Sequence, residues 1–229
     1  MYFYFILIFL SLLILVDNFK INSKIKSKKI PIKASLDGIE LGLLTLGSGL
    51  LIDNTISKPS LDKLKENNIT LYNQGMIKVY KNLLFLGPIY YQGVDKFIIN
   101  DHTSSISLYE TMGIVLVHSF GYYFAHRSMH RNDFFKKYHY FHHQFNETLV
   151  PSIGNAVSEN EFTFAYMFPF VVGSLMVNPN INSFNMGIMI VSIFNLLIHC
   201  QELENVKWNQ YFVSPKVHLY HHQSKNQFS

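Results

Sequence analysis

The 229-residue sequence predicts an all-α protein: an integral membrane helical bundle of about four to five membrane segments, with histidine-bearing helices gathered on one face. Three observations predict it. Hydrophobic residues make up 48% of the chain and charged residues 15%, well short of the quarter usual in soluble domains. Apolar segments recur between short polar loops. Histidines recur at helical rather than strand spacing, in HRSMH (126–130), HYFHH (139–143) and HLYHH (218–222).

At the start of the chain, MYFYFILIFLSLLILV (1–16) carries no charged side chain. It is close to the length a bilayer requires and lacks a basic leader and a small-residue cleavage site, so it reads as an uncleaved anchor. Its flank holds Lys20, Lys24, Lys26, Lys28, Lys29 and Lys33, which the positive-inside rule assigns to the cytosol. Residues 1–34 thus form an anchor and basic flank, and 35–75 a linker. In that linker LGLLTLGSGLLI (41–52) is too short to span and reads as interfacial or re-entrant, and 53–69, with Pro59, reads as a loop. Four further apolar segments, 77–94, 108–125, 162–177 and 184–200, pair into two hairpins, the second closed by the turn-like NPNINS. Each hairpin returns the chain to the side it left. The Lys-rich flank and all three histidine motifs therefore share one membrane face, and Arg127, Arg131, Lys136 and Lys137 mark it as cytosolic.

His126 and His130 are four apart and share a helix face; the i, i+3, i+4 spacing of His139, His142 and His143, and again of His218, His221 and His222, does the same. Neutral imidazole suits Fe, Zn, Cu and Ni, and eight such ligands exceed the needs of one ion but suit two. Solvated surface histidine is the ordinary reading of any one of them. It does not account for two HxxHH motifs and an HxxxH in one chain. HExxH is absent, which disfavours a zinc protease, and so are the Glu-x-x-His pairs of soluble di-iron bundles. A histidine-rich transporter would carry its histidines inside the spans. Nucleic acid is not an expected partner of so apolar a chain. Cys200, the single cysteine, permits no internal disulfide.

The order HxxxH, HxxHH, HxxHH resembles the fatty acid hydroxylase and sterol desaturase superfamily of integral membrane di-iron enzymes. GYYFAHRSMH is similar to the family's aromatic approach to its first box, HYFHHQFNETLVPSIG to its second, and LLIHCQELENVKWNQYFVSPKVHLYHHQSKNQF to its ending. The resemblance covers roughly residues 80 to 228 and makes 76–229 the catalytic domain. It implies a cytosolic helical cap holding two iron ions, with zinc able to substitute in preparations. The implied ligands are His126, His130, His139, His142, His143, His218, His221 and His222, with His199 as a ninth. Asn195, Glu161 and Arg127 are expected around them. The implied chemistry uses O2 and two external electrons to hydroxylate or desaturate a sterol or fatty-acyl lipid drawn from the bilayer. The electrons come from a donor such as cytochrome b5 with its NAD(P)H reductase, and the location in a eukaryotic cell is the endoplasmic reticulum. Three departures stand out. Ser119 follows His118 where the family has an acid, Ser158 replaces a family histidine ahead of Glu161, and the sequence stops at Ser229 before the family's tail segment. They keep open an alternative, a metal-binding relative without oxidase activity.

Overall fold

The computed structural model describes residues 37–102, 105–207 and 213–223, all within a compact unit that begins at Asp37. The expected anchor and basic flank lie outside the described residues. Among those described there is no strand. The helices are α1 (Gly38–Thr55), α2 (Lys58–Lys81), α3 (Gly87–Phe97), α4 (Leu108–Arg131), α5 (Asp133–His139), a single turn α6 (Glu159–Glu161), α7 (Phe168–Val177), α8 (Ile181–Ile198) and α9 (Pro215–Gln223).

α1 starts at a capping box. The Asp37 carboxylate accepts from the backbone N–H groups of Ile39 and Glu40, and the Asp37 N–H donates to Glu40 at 2.7 Å. This satisfies orphan donors at the helix start, and it turns the expected interfacial piece 41–52 into part of an 18-residue helix. The loop expected over 53–69 is a correction: from Lys58 onward it is helical. Pro59 lies in the first turn of α2, where a missing N–H costs nothing, so it opens the helix. Asn68 breaks the helical dihedrals (φ −157°, ψ 76°), and its side chain accepts from the Leu71 N–H, which caps the second half of the helix. A π-helical turn, Asn82–Leu86, then joins α2 to α3 ahead of Pro88, the wider turn accommodating the proline's missing donor.

α4 runs 24 residues, about 36 Å at 1.5 Å per residue, and packs against α7, α8 and α5. It carries the apolar segment 108–125 without interruption into His126 and His130. Asn132 ends it and N-caps α5, accepting from Phe134 N–H. Its outer stripe is Leu108, Met112, Leu116, Phe120 and Phe124, one residue per turn and all exposed. A continuous apolar face of this kind marks a membrane or protein contact.

Of the described helices, α8 alone is long and apolar enough by itself to cross a membrane. α1 and the run Lys58–Phe97 pass the same criterion as a pair, bent by 92°. One or two candidate spans are therefore present among the described residues.

A buried strap sits at the centre of the fold. Residues 148–157 are all buried, and apart from a 3-10 turn at Pro151–Asn155 they are irregular. Buried irregular backbone is tolerated only if its polar groups find partners, and here they do. Asn82 Nδ2 donates to the carbonyls of Asn155 and Val157, Tyr166 Oη donates to that of Gly154, and Ser152 N–H donates to Asp53 Oδ1. Around the strap lies the main apolar core, including Leu61, Val79, Phe145, Ile153 and Phe162.

Candidate dimetal centre

Four pieces of chain deliver the histidines. The last two turns of α4 present His126 and His130, and α5 with the 3-10 turn behind it presents His139, His142 and His143. His199 caps the end of α8, and α9 presents His218, His221 and His222. The structure brings all nine together in two groups. One holds His126, His130, His139, His143 and His221; the other holds His142, His199, His218 and His222. In each group the nitrogens offered lie within 4.8 Å of one another. Two imidazoles on opposite sides of an ion, each with its nitrogen about 2.1 Å away, are about 4.2 Å apart, so an inward shift of about half an ångström closes each group on one ion.

The grouping cuts across the motifs. Within HYFHH, His139 and His143 serve the first group and His142 the second. Within HLYHH, His218 and His222 serve the second group and His221 the first. The i, i+4 pair of each box shares a target while the middle histidine reaches the other group. The single face expected for each box is thus split, and both HxxHH boxes tie the two groups together.

The chemistry of the donors fits metal. His126, His139, His142, His218 and His222 are buried, and burial, reinforced by repulsion from neighbouring histidines, holds their pKa values well below the ordinary range. The same causes lower His130 to about 4 and His143 to about 3. Neutral imidazole is the ligating form. Three buried ring nitrogens, His126 Nε2, His142 Nδ1 and His222 Nδ1, have no hydrogen-bond partner. Elsewhere Nε2 faces Nε2 directly, at 2.9 Å between His143 and His139 and 3.0 Å between His218 and His199. Lone pairs crowded this way are satisfied by a shared cation.

The surrounding groups orient the rings. His139 Nδ1 lies 2.6 Å from Glu161 Oε1, with both side chains buried. Burial raises the Glu161 carboxyl and lowers His139, so without a cation burial favours the uncharged form of each. Nδ1–H donating to the carboxylate leaves Nε2 for a metal. His199 is fixed in the same sense by a backbone carbonyl: its Nδ1 donates to Asn195 O at 2.7 Å. The Asn195 side chain instead donates to Asn155 Oδ1 at 3.3 Å. Gly154 abuts the His199 ring so closely that a Cβ there would lie 2.8 Å from Nδ1. Arg127 sits over the ring of Tyr123, outside both groups.

The two serine positions differ in kind. Ser119 is exposed and bonds to its own helix at Val115 O, whereas the neighbouring His118 points inward and Nε2–H donates to Tyr166 O at 3.1 Å. Ser158 caps α6 by accepting from the Glu161 N–H, which places the carboxylate against His139. Sequence reasoning missed Asn155 and His118. Neither carries a spacing signal; only the fold sets them beside the centre and in the lining of the cavity that opens below it.

That cavity is lined by α1, the π turn with α3, His118 of α4, the stretch from Phe162 to Phe170, and α8, and Tyr91, Phe184, Asn155 and Asn195 all face it. A sequence model of the fatty acid hydroxylase family matches residues 111–229. The chain belongs to the fatty acid hydroxylase family. The match begins in α4 and takes in all nine histidines of the centre, as the resemblance of the boxes implied. The chain is 28% identical over 166 residues to human fatty acid hydroxylase domain-containing protein 2, and 27% identical over 166 residues to the protein of that name from Macaca fascicularis. Each alignment covers 72% of this chain and 48% of the relative, so the chain spans about half the length of the curated relatives it matches. No solved structure matches.

Proposed function

We propose that this fatty acid hydroxylase family member is a multi-pass membrane oxidoreductase that uses O2 and two external electrons to hydroxylate or desaturate a lipid. One observation carries the reading: nine histidines, seven of them buried, converge as a five and a four, each compact enough for one ion. The ions proposed are two irons, with zinc as a substitute in preparations. When bound, a redox-active pair supplies the O2 activation that an unactivated C–H bond requires.

The chain's own residues supply the rest. Glu161 and the Asn195 carbonyl fix ring orientation. The strap and its apolar core exclude water. The cavity that reaches Asn195, four residues from His199, holds the lipid. The exposed stripe on α4 supports a bilayer setting with four to five membrane segments. The cations Arg127, Arg131, Lys136 and Lys137 beside the boxes support a cytosolic site, on the endoplasmic reticulum in a eukaryotic cell. They also suit an acidic electron donor such as cytochrome b5, served by an NAD(P)H reductase.

The test is metal content of the detergent-purified chain beside His142→Ala and His221→Ala, one variant in each group, followed by lipid oxidation with O2 and a reductant. About two irons per chain, reduced in each variant, with an oxidised lipid as product, is the expected result. Metal content unmoved by either change would overturn the reading. Two bound metals without lipid oxidation would favour the alternative, a metal-binding relative without oxidase activity, to which Ser158 in place of the family histidine already points.

A further inference from the structure

We infer that Tyr122 and Tyr166 are positioning residues of the histidine centre, a hydroxyl-linked strut that sets the ring of His126 in the five-histidine group and braces the strap beside His199 in the four-histidine group. The inference rests on the reading of the two groups as metal sites and goes beyond it by naming what holds His126 in place.

His139 is oriented by Glu161 and His199 by the Asn195 carbonyl. For His126, whose buried Nε2 has no hydrogen-bond partner, the support is a ring. Tyr122 precedes it by one turn of α4 and lies almost parallel to it, with ring centroids 5.3 Å apart and planes 16° apart. His118, a turn earlier again, continues the stack at 6.4 Å and 10°. Offset stacks of this spacing are a preferred aromatic geometry, and the i, i+4 register places the three rings along one helix face. The inner end of the stack is anchored. His118 Nε2–H donates to Tyr166 O at 3.1 Å, and its ring packs on Phe170 with centroids 4.1 Å apart.

Tyr166 holds the stack from the side. It stands in the π-helical turn Phe162–Met167, a geometry that recurs at functional sites, and meets the Tyr122 ring edge-on at 5.4 Å and 80°. The two tyrosine side chains are hydrogen-bonded to each other. The Tyr166 hydroxyl has one proton, and it goes to the Gly154 carbonyl at 3.2 Å, which can only accept. Tyr122 is therefore the donor to Tyr166, and the bonds run one way, from Tyr122 through Tyr166 to Gly154. Gly154 is also the residue against which the His199 ring rests, with a Cβ there only 2.8 Å from Nδ1. One strut thus reaches a histidine of each group. Packing alone requires only the rings; the directional hydroxyl bonds add a fixed orientation.

The experiment is competitive cobalt(II) titration of the detergent-purified chain, with each site read by itself. His142→Ala leaves the five-histidine group to be read, and His221→Ala the four-histidine group. In the first background Tyr122→Leu is expected to weaken cobalt binding about 10–100-fold, the range for a lost ring-orienting partner, and to shift the visible cobalt spectrum. Tyr122→Phe, which keeps the stack and loses the hydroxyl, is expected to fall between Tyr122→Leu and the parent. Neither change is expected to move affinity in the second background. Tyr166→Phe, at the junction, is expected to weaken both sites. The same tyrosine changes in the otherwise wild-type chain give a second reading, from its two cobalt steps. Tyr122 variants that weaken the two sites alike, or leave the five-histidine site and its spectrum unmoved, would overturn the inference. So would Tyr122→Phe indistinguishable from the parent, or Tyr166→Phe without effect on either site. Should Tyr122→Leu fail to fold, Tyr122→Phe decides by the same comparison. A wild-type chain that binds no metal overturns the metal reading and this inference with it; the other outcomes leave that reading intact.

Discussion

Glu161 carries the sharpest prediction among single residues. Replacing it with Gln keeps an acceptor for His139 Nδ1–H but removes the charge that raises the basicity of the opposite nitrogen. Outer carboxylates of this kind are worth about 10–100-fold in metal affinity. Glu161→Gln is therefore expected to weaken the five-histidine site by that factor and leave the four-histidine site unchanged, read by competitive metal titration. Asp53 offers a test away from the ligands. It lies just past the apolar run 41–52, fully buried; burial pushes its carboxyl up to about 6, only partly offset by hydrogen bonds from Ser152 and by Lys65, while Glu202 adds to the rise. Between about 4 and 6 the unfolded chain ionises before the folded one, so the native state holds more protons and stability falls as pH rises through that window. Asp53→Asn removes the ionisation and keeps the acceptor for Ser152 N–H. It is expected to raise the melting temperature at pH 8, corresponding to about 1–3 kcal/mol, and to change little at pH 4. The histidines were legible one by one because helical spacing advertises them, and Glu161 was legible through the boxes' surroundings. Asp53, Asn155 and His118 were not, since a buried polar residue has no periodic signature and its partners come from distant parts of the chain.

Among the elements, the helices marked by long apolar runs or by spaced histidines were legible, and the first half of α2 was missed. That half reads as a loop because Lys58–Asn68 is polar and opens with proline. Its stability comes from tertiary packing of Leu61 and Leu64, which propensity alone does not report. The capping signature D-x-x-E at Asp37–Glu40 was present in the sequence and marks where α1 begins. The packing of α1 yields a paired prediction. Gly42→Ala drives a methyl into the Leu83 carbonyl, a clash that backbone cannot relieve cheaply, whereas nothing lies within 4 Å of a Cβ at Gly47. Gly47→Ala is expected to stabilise by about 0.5–1 kcal/mol through helix propensity. Gly42→Ala is expected to lower the melting temperature, and equal melting temperatures for the two variants would contradict the close approach of α1 to the π turn.

For the whole molecule, the histidine centre sets the response to acid. His130, lowered to about 4 by burial first and by His221 and Lys136 after it, titrates near 6.5 when unfolded. Between those values the unfolded chain binds more protons, so stability rises with pH across the window and is lost as pH falls from 6.5 to 4. The metal-free chain is expected to lose its melting transition progressively over that range, and metal is expected to shift the loss to lower pH. The all-helical class and the histidine inventory were readable because both rest on local pattern. The division into five and four was not, because it depends on how α4, α5, the end of α8 and α9 meet in space.

The strap of residues 148–157 has one more consequence, for residence time. It lies under the centre with Gly154 against the His199 ring, and its carbonyls are claimed by Asn82 and Tyr166. An ion held by the four-histidine group, all of whose rings are buried, is then expected to leave only when this segment opens, with release governed by local unfolding rather than by ligand bond strength. Loss of metal to excess chelator is expected to proceed at a rate independent of chelator concentration and equal to the opening rate of the strap amides in hydrogen exchange. A rate that climbs with chelator would show a direct path for solvent to the ions.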